Sequence, residues 1–209
     1  MSRHTLSATA FAAILAGAPA LAGGMAQPAP MDPAPMPTPM PASDWTGLYG
    51  GVQLEYFGNG EDRGFGFDAD FDGTLAGIFV GYRHDFGAIV AGVEFDYLIG
   101  SGEQQVITGP AAGTTNDVDY TVRRLGVELG YDAGPALVYA GVGHAHLGFE
   151  FPLGDFDDPG YYYGVGMDYR VTDSVTVGVE INRNVFNDFA ADNNDLTFTT
   201  VGLNLAFTF

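Results

Sequence analysis

A chain of 209 residues with 26 acidic residues, seven basic ones and a formal charge of −19 lacks the basic footprint that nucleic-acid phosphates require. It has no cysteine, which excludes disulfides, zinc–thiolate sites, a thiol nucleophile and an N-terminal lipid anchor on Cys. Hydrophobic residues make up 46% of it, but no apolar run beyond the N-terminus is long enough for a spanning helix, and 31 Gly, 16 Phe and 11 Tyr favour packed strands.

In chain order, residues 1–22 read as a secretory signal peptide: Arg3 and His4, an apolar core from Leu6 to Leu15, then small residues at Ala20-Leu21-Ala22 before a cut. Residues 23–43 are rich in Pro, Ala and Met. Proline fixes φ and donates no hydrogen bond, so this segment is expected to be a flexible, extended periplasmic linker, with docking to a periplasmic partner as the alternative.

From Trp45 the sequence resolves into eight alternating segments, at about 45–56, 74–84, 88–99, 120–131, 137–149, 161–171, 174–184 and 197–209. Lengths of roughly 9–11 residues match a tilted strand crossing a bilayer, and an even count permits closure. The connections after segments two, four and six are short, and the others are long and polar. Outer-membrane barrels show that asymmetry, with short periplasmic turns and long outer loops. The expected fold is therefore all-β: an eight-stranded antiparallel transmembrane β-barrel over 44–209, preceded by the signal peptide and the Pro-rich linker.

Leu48, Val52 and Leu54, Ile78 and Val80, Ile89, Val93 and Phe95, Leu125, Val127 and Leu129, Val165 and Met167, and Val175 to Ile181 at every second position are expected to face lipid. The opposite face is mostly Gly, with charges at Glu55, Arg83, Glu94, Asp96, Arg124, Glu128, Asp168, Arg170 and Glu180, which predicts a lumenal charge network. An Arg facing lipid at mid-depth costs about 2–4 kcal/mol, so their common inward phase supports the register. Strand five is ambiguous. Placing Tyr139, Ala145, Leu147 and Phe149 outward puts His144 and His146 inside, and the opposite phase is nearly as good. Aromatic residues gather at the strand ends, Trp45, Tyr82, Tyr131, Tyr169 and Phe209 at the periplasmic side and Tyr56, Tyr97, Phe149 and Tyr161 at the outer side, as an interfacial girdle.

The last strand alternates Val201, Leu203, Leu205, Phe207 and Phe209 against small or polar residues and ends on an aromatic. Asp44-Trp45-Thr46-Gly47-Leu48-Tyr49-Gly50-Gly51 resembles the opening strand of small alphaproteobacterial outer-membrane β-barrel proteins. The segment Gly81-Tyr82-Arg83, Phe86-Gly87 and Gly92-Val93-Glu94-Phe95-Asp96-Tyr97 resembles their first periplasmic hairpin, and Leu125-Gly126-Val127 with Gly130-Tyr131 their fourth strand. The resemblance, to the porin-like or opacity-type family with an OmpA-like eight-stranded barrel, spans about 44–209. It implies a structural or surface-interaction protein in the cell outer membrane; the sequence departs from the larger OmpA-type proteins in that no soluble peptidoglycan-binding domain is expected after the barrel. It also implies that Phe207 and Phe209 form the signal read by the barrel assembly machinery.

Asp68-Ala69-Asp70-Phe71-Asp72-Gly73 matches the first half of a calcium loop, but Phe79 stands where the bidentate acid belongs. Asp68, Asp70 and Asp72 are thus a solvated acidic loop or, less well supported, a loose divalent-cation site. His144 and His146 are expected to be a hydrogen-bonded lumenal pair, with a metal role needing a third ligand. Acyl-transfer chemistry needs a Ser activated by a His and an acid, and no Ser adjoins this pair, so no catalytic residue, enzyme activity or cofactor is expected. More than half of the acids fall in the outer connections. The expected partners are outer-membrane lipid and lipopolysaccharide, with divalent cations at the acidic loops. The expected function is a non-enzymatic barrel plugged by charged side chains; a small pore for ions or polar solutes, or an adhesin or ligand-binding surface protein, are the alternatives.

Overall fold

Period-two alternation, with one face apolar and the other small or polar, forms strands that must pair on both edges when no water is available to their backbone groups. Among the described residues the result is eight strands: β1 (Gly47–Gly64), β2 (Phe67–Asp85), β3 (Ile89–Thr108), β4 (Thr115–Asp132), β5 (Ala136–Phe151), β6 (Gly154–Arg170), β7 (Val175–Phe186) and β8 (Asn194–Thr208). Each pairs antiparallel with its sequence neighbours, and β1 closes on β8, so the sheet is a barrel. The computed structural model describes residues 44–64, 67–151, 154–187 and 194–209. The expected signal peptide and linker lie outside them.

The short-turn end has two positions that only glycine fills comfortably. Gly87 (φ 106°) and Gly134 (φ 81°) lie in the turns after β2 and β4, and their N–H groups donate at 2.7 Å to Asp85 Oδ1 and Asp132 Oδ1.

At the other end the strands continue far past the expected boundaries. The ladder runs on through Arg63↔Asp68 in the first hairpin and Gln105↔Thr115 in the second. A strand of 20 residues, as in β3, rises about 3.4 Å per residue, which is about twice what a tilted crossing needs. Much of what reads as long polar loop is therefore paired strand. Asp68, Asp70 and Asp72 lie on the outer face of β2, not in a loop. Phe57 likewise belongs to the barrel interior, on β1, with a one-residue register shift between it and Gly60.

The polarity of the wall inverts along the strands. In the lower half, Leu125, Val127, Leu129 and Tyr131 of β4 point outward and are exposed; in the upper half Val118, Tyr120 and Val122 of the same strand point inward and are buried. With Phe57, Phe71, Leu75, Leu98, Leu147, Phe186, Leu196 and Phe198 they form an apolar core inside the upper barrel. The lower wall is apolar outside, as lipid requires, and the upper wall is apolar inside, as water requires.

Strand five takes the phase opposite to the one expected. Tyr139, Ala145 and Leu147 are buried inside, whereas Val138, Val142, His144 and His146 are exposed on the outer wall. Tyr139 offers an aromatic ring to the lumen, and its space is supplied by Gly166 on β6, where a Cβ would overlap that ring. Trp45 is also not part of the girdle. It is buried at the lower mouth with Val90, Leu137 and Tyr139.

Candidate functional site

Among the described residues, the lower lumen is where buried charged side chains converge. Glu55, Arg83, Glu94, Asp96, Arg124, Glu128, Asp168 and Glu180 are all buried there. The even or odd phase that turns each strand's apolar row to lipid turns these residues inward, and closure brings residues far apart in sequence into contact.

Two guanidiniums organise the site. Arg83 Nε donates to Glu128 Oε2 at 2.9 Å and its Nη1 to Asp168 Oδ2 at 2.6 Å. Its guanidinium carbon lies 4.3 Å from the Tyr49 ring centroid and 5.1 Å from that of Tyr139. Arg124 Nη2 donates to Glu55 Oε1 at 2.5 Å, its Nε donates to Asp96 Oδ2 at 3.3 Å, and it stands over the Tyr162 ring at 5.4 Å. Neutral donors serve Glu94 and Glu180 and the second oxygen of Asp96. The Tyr49 hydroxyl donates to Glu94 at 2.7 Å, the Tyr139 hydroxyl to Glu180, the Gln53 amide to Asp96 at 2.8 Å and the Asn182 amide to Glu180 at 3.1 Å. Buried carboxylates are tolerated only with such donors around them.

Arg170 stands apart from this network. It is partly exposed at the lower mouth, where its Nη2 donates to the Asp44 carbonyl at 2.9 Å and its guanidinium lies 4.2 Å from the Trp45 ring. Trp45 is further held by its N–H to Asp85 Oδ2 at 3.1 Å and its indole N–H to Asp132 Oδ1 at 3.3 Å, so its ring lies across the mouth. Beside it, hydrogen bonds from Thr46 hold the Asp44 carboxyl below its ordinary range.

The remaining candidates lie elsewhere. His144 and His146 face outward and away from Glu128 and Asp168; His146 Nδ1 lies 3.3 Å from Asp157 Oδ1. Asp70 pairs with Arg63 Nη2 at 2.5 Å, and that hydrogen bond holds the Arg63 pKa above its ordinary value; Asp68 accepts from the Thr108 hydroxyl at 3.1 Å. Among the described residues no group of three His, Asp or Glu side chains is arranged to hold a metal. Phe207 and Phe209 lie on the outer wall, exposed, with ring centroids 5.3 Å apart.

Sequence reasoning did not single out Tyr49, Tyr139, Tyr162, Gln53 and Asn182 as parts of the lumenal network. A signal was present for the tyrosines: each occupies a position on the glycine-rich face, where an aromatic ring lies over a facing glycine. The Tyr49 ring, for example, fills the space over Gly81.

Comparison with known proteins agrees with this architecture. Residues 8–209 match the family model described as outer membrane protein beta-barrel domain. A 22 kDa outer membrane protein of Rhizobium leguminosarum bv. viciae is 31% identical over 162 residues, covering 75% of this chain and 70% of that protein. Among solved structures, the outer membrane protein OprG of Pseudomonas aeruginosa superposes with a TM-score of 0.53 over 80% of this chain and 98% of its own, at 11% identity, a likeness of fold. Neisserial surface protein A gives 0.47 over 78% and 98%, at 16% identity.

Proposed function

The chain belongs to the outer membrane protein beta-barrel domain family, and from that premise we propose that it is a non-enzymatic outer-membrane protein whose lumen is sealed against solute flow. The observation that carries the reading is the stacking of two unlike layers inside one narrow barrel. Below, Arg83 and Arg124 cross-link carboxylates from β1, β3, β4 and β6; above, the Phe57 ring of β1 meets the Tyr120 ring of β4 across the axis at 5.6 Å, with Phe71, Leu75 and Phe198 packed beside it. An eight-stranded barrel has an interior about as wide as its own side chains fill, so neither layer needs a loop to complete it. A permeating ion would have to strip the buried ion pairs of Arg83 and Arg124, four in all, and then cross an apolar layer.

Support for the absence of catalysis comes from the outward phase of His144 and His146, which separates the imidazoles of β5 from the buried carboxylates. We read Phe207 and Phe209 as the row presented to the assembly machinery, because their rings face outward on the closing strand and contribute nothing to the lumen.

Planar-bilayer recording of the refolded protein tests the seal. The wild type is expected to give no steady conductance, and a variant carrying Arg83→Gln, Arg124→Gln and Leu75→Ala is expected to show openings. A stable ohmic conductance in the wild type would establish the pore instead.

A further inference from the structure

The outer wall carries a basic sector just where the wall changes from apolar to polar. On β4 the exposed run Tyr131, Leu129, Val127 and Leu125 gives way to Arg123; on β5 Val138 and Val142 give way to His144 and His146; on β7 Val177, Val179 and Ile181 give way to Arg183. Each run is the lipid-facing row of its strand, so these basic side chains lie at the level where hydrocarbon meets headgroups. Three other strands leave the belt differently, β2 through Thr74 to Asp72, β3 through Ser101 to Glu103 and β8 through Thr199 to Thr197, and β6, inside the sector, passes through Tyr161 and Pro159 to Asp157.

This distribution is unusual in a chain with a charge of −19 and no Lys. Of the other described arginines, Arg83 and Arg124 are in the lumen, Arg170 is at the lower mouth and Arg63 is at the upper tip beside Asp70. Exposed tyrosines flank the basic residues across the ladder: Tyr97 is paired with Arg123, Tyr161 with His144 and Tyr163 with Arg183.

The internal contacts of the sector already describe an oxyanion fork. Asp157 places one carboxylate oxygen on Arg123 Nη2 and the other 3.3 Å from His146 Nδ1. All these groups are about half exposed, so the contact is of the weak, exchangeable kind. Arg183 is held by hydroxyls, donating to Thr199 Oγ1 at 3.0 Å and Thr197 Oγ1 at 2.7 Å.

We propose that Arg123 and His146, neighbours across the β4–β5 ladder, bind a phosphate of an outer-leaflet phosphoglycolipid whose acyl chains lie along the apolar rows of β4 to β7, that His144 and, farther round on β7, Arg183 flank the same headgroup, and that Asp157 is the internal competitor for that phosphate. A phosphate oxygen offers the guanidinium and imidazole the same acceptor as Asp157 does, with more charge. The acyl chains supply what an ion in bulk water lacks, contact with Val127, Val142, Val165 and Ile181 directly below. The inference rests on the outer-membrane location and is independent of whether the lumen is sealed.

The test is binding of bisphosphorylated lipid A to the folded barrel in detergent micelles, compared with dephosphorylated lipid A and with inorganic phosphate. Folding of each variant is checked by gel migration with and without boiling. The bisphosphorylated lipid should bind about tenfold tighter than the dephosphorylated one. That difference should vanish in Arg123→Gln/His146→Gln/Arg183→Gln and persist in Arg63→Gln, and Asp157→Asn, which removes no cation, should bind more tightly than the wild type. Equal binding of the two lipids, retention of the difference in the triple variant, an unchanged Asp157→Asn, or inorganic phosphate competing as well as the lipid does would each overturn the proposal.

Discussion

Replacing Arg124 with Met removes the cation that holds Glu55 and Asp96 together inside the lumen. Arg124 is 1% exposed and its two partners 2% each, so the carboxylates left behind have no route to water without opening the wall. Removing one member of a buried ion pair is destabilising by about 3–5 kcal/mol, which is about two to three and a half powers of ten in the ratio of folded to unfolded protein. Asp96 keeps the Gln53 amide at 2.8 Å, which favours the lower part of that range. Neutralising the partners as well, in Arg124→Met/Glu55→Gln/Asp96→Asn, removes the uncompensated charge and should recover most of the loss. Equilibrium urea unfolding in lipid or detergent is the assay, followed by the fluorescence of Trp45, the only tryptophan of the chain. Its ring is buried at the lower mouth and becomes solvated on unfolding. A loss of less than about 1 kcal/mol for Arg124→Met would be the value of an exposed pair, and would refute the claim that the ionic layer is dry. A triple variant no more stable than the single one would refute the claim that the loss is electrostatic.

Arg63→Gln, at the exposed tip, should change stability by less than about 1 kcal/mol in the same assay despite its 2.5 Å contact with Asp70. Phe57→Ala empties a site in the upper core beside Tyr120 and Phe198, and should lower stability by about 3–5 kcal/mol; a neutral result would mean that the upper barrel is not packed. Gly166→Val would drive the Tyr139 ring off its seat and away from Glu180, with an expected loss of about 1–3 kcal/mol, whereas Gly113→Ala, with nothing near its Cβ position, is limited to the strain of its φ of 87°. Deleting Phe209 should reduce the amount of folded protein in the outer membrane of cells much more than it reduces unfolding stability in vitro, because the ring is exposed; equal losses in both measurements would contradict an assembly role. Changing Asp68, Asp70 and Asp72 together to Asn should leave most of any stabilisation by millimolar Mg²⁺ or Ca²⁺ intact, since Asp70 already faces Arg63 and Asp68 already accepts from Thr108; complete loss would reveal a defined site.

The fold class, the strand number and the lipid-facing rows were legible in the sequence because each is a local property. Alternation at period two along Val201 to Phe209 or Leu125 to Tyr131 needs no knowledge of the partner strand. Inward charges were legible for the same reason: lipid forbids the opposite phase, so Glu94 and Asp96 have to point inward once Val93 and Phe95 point out. The upper barrel was not legible, because the solvent outside the wall changes from hydrocarbon to water part-way along each strand. The apolar face then switches sides, and Val118, Tyr120 and Val122 followed by Leu125, Val127 and Leu129 spoil a single phase and look like a loop joined to a short strand. Strand five failed through its own composition, since Gly and Ala occur on both faces, and only the space opposite Tyr139 at Gly166 decides which way its ring turns. Who meets whom across the lumen was beyond local reasoning altogether. Arg83 reaches Asp168 over 85 positions of sequence, a contact set by closure of β1 on β8 and by the stagger of all eight strands. The same closure left Arg170 outside the network and brought Trp45 across the mouth.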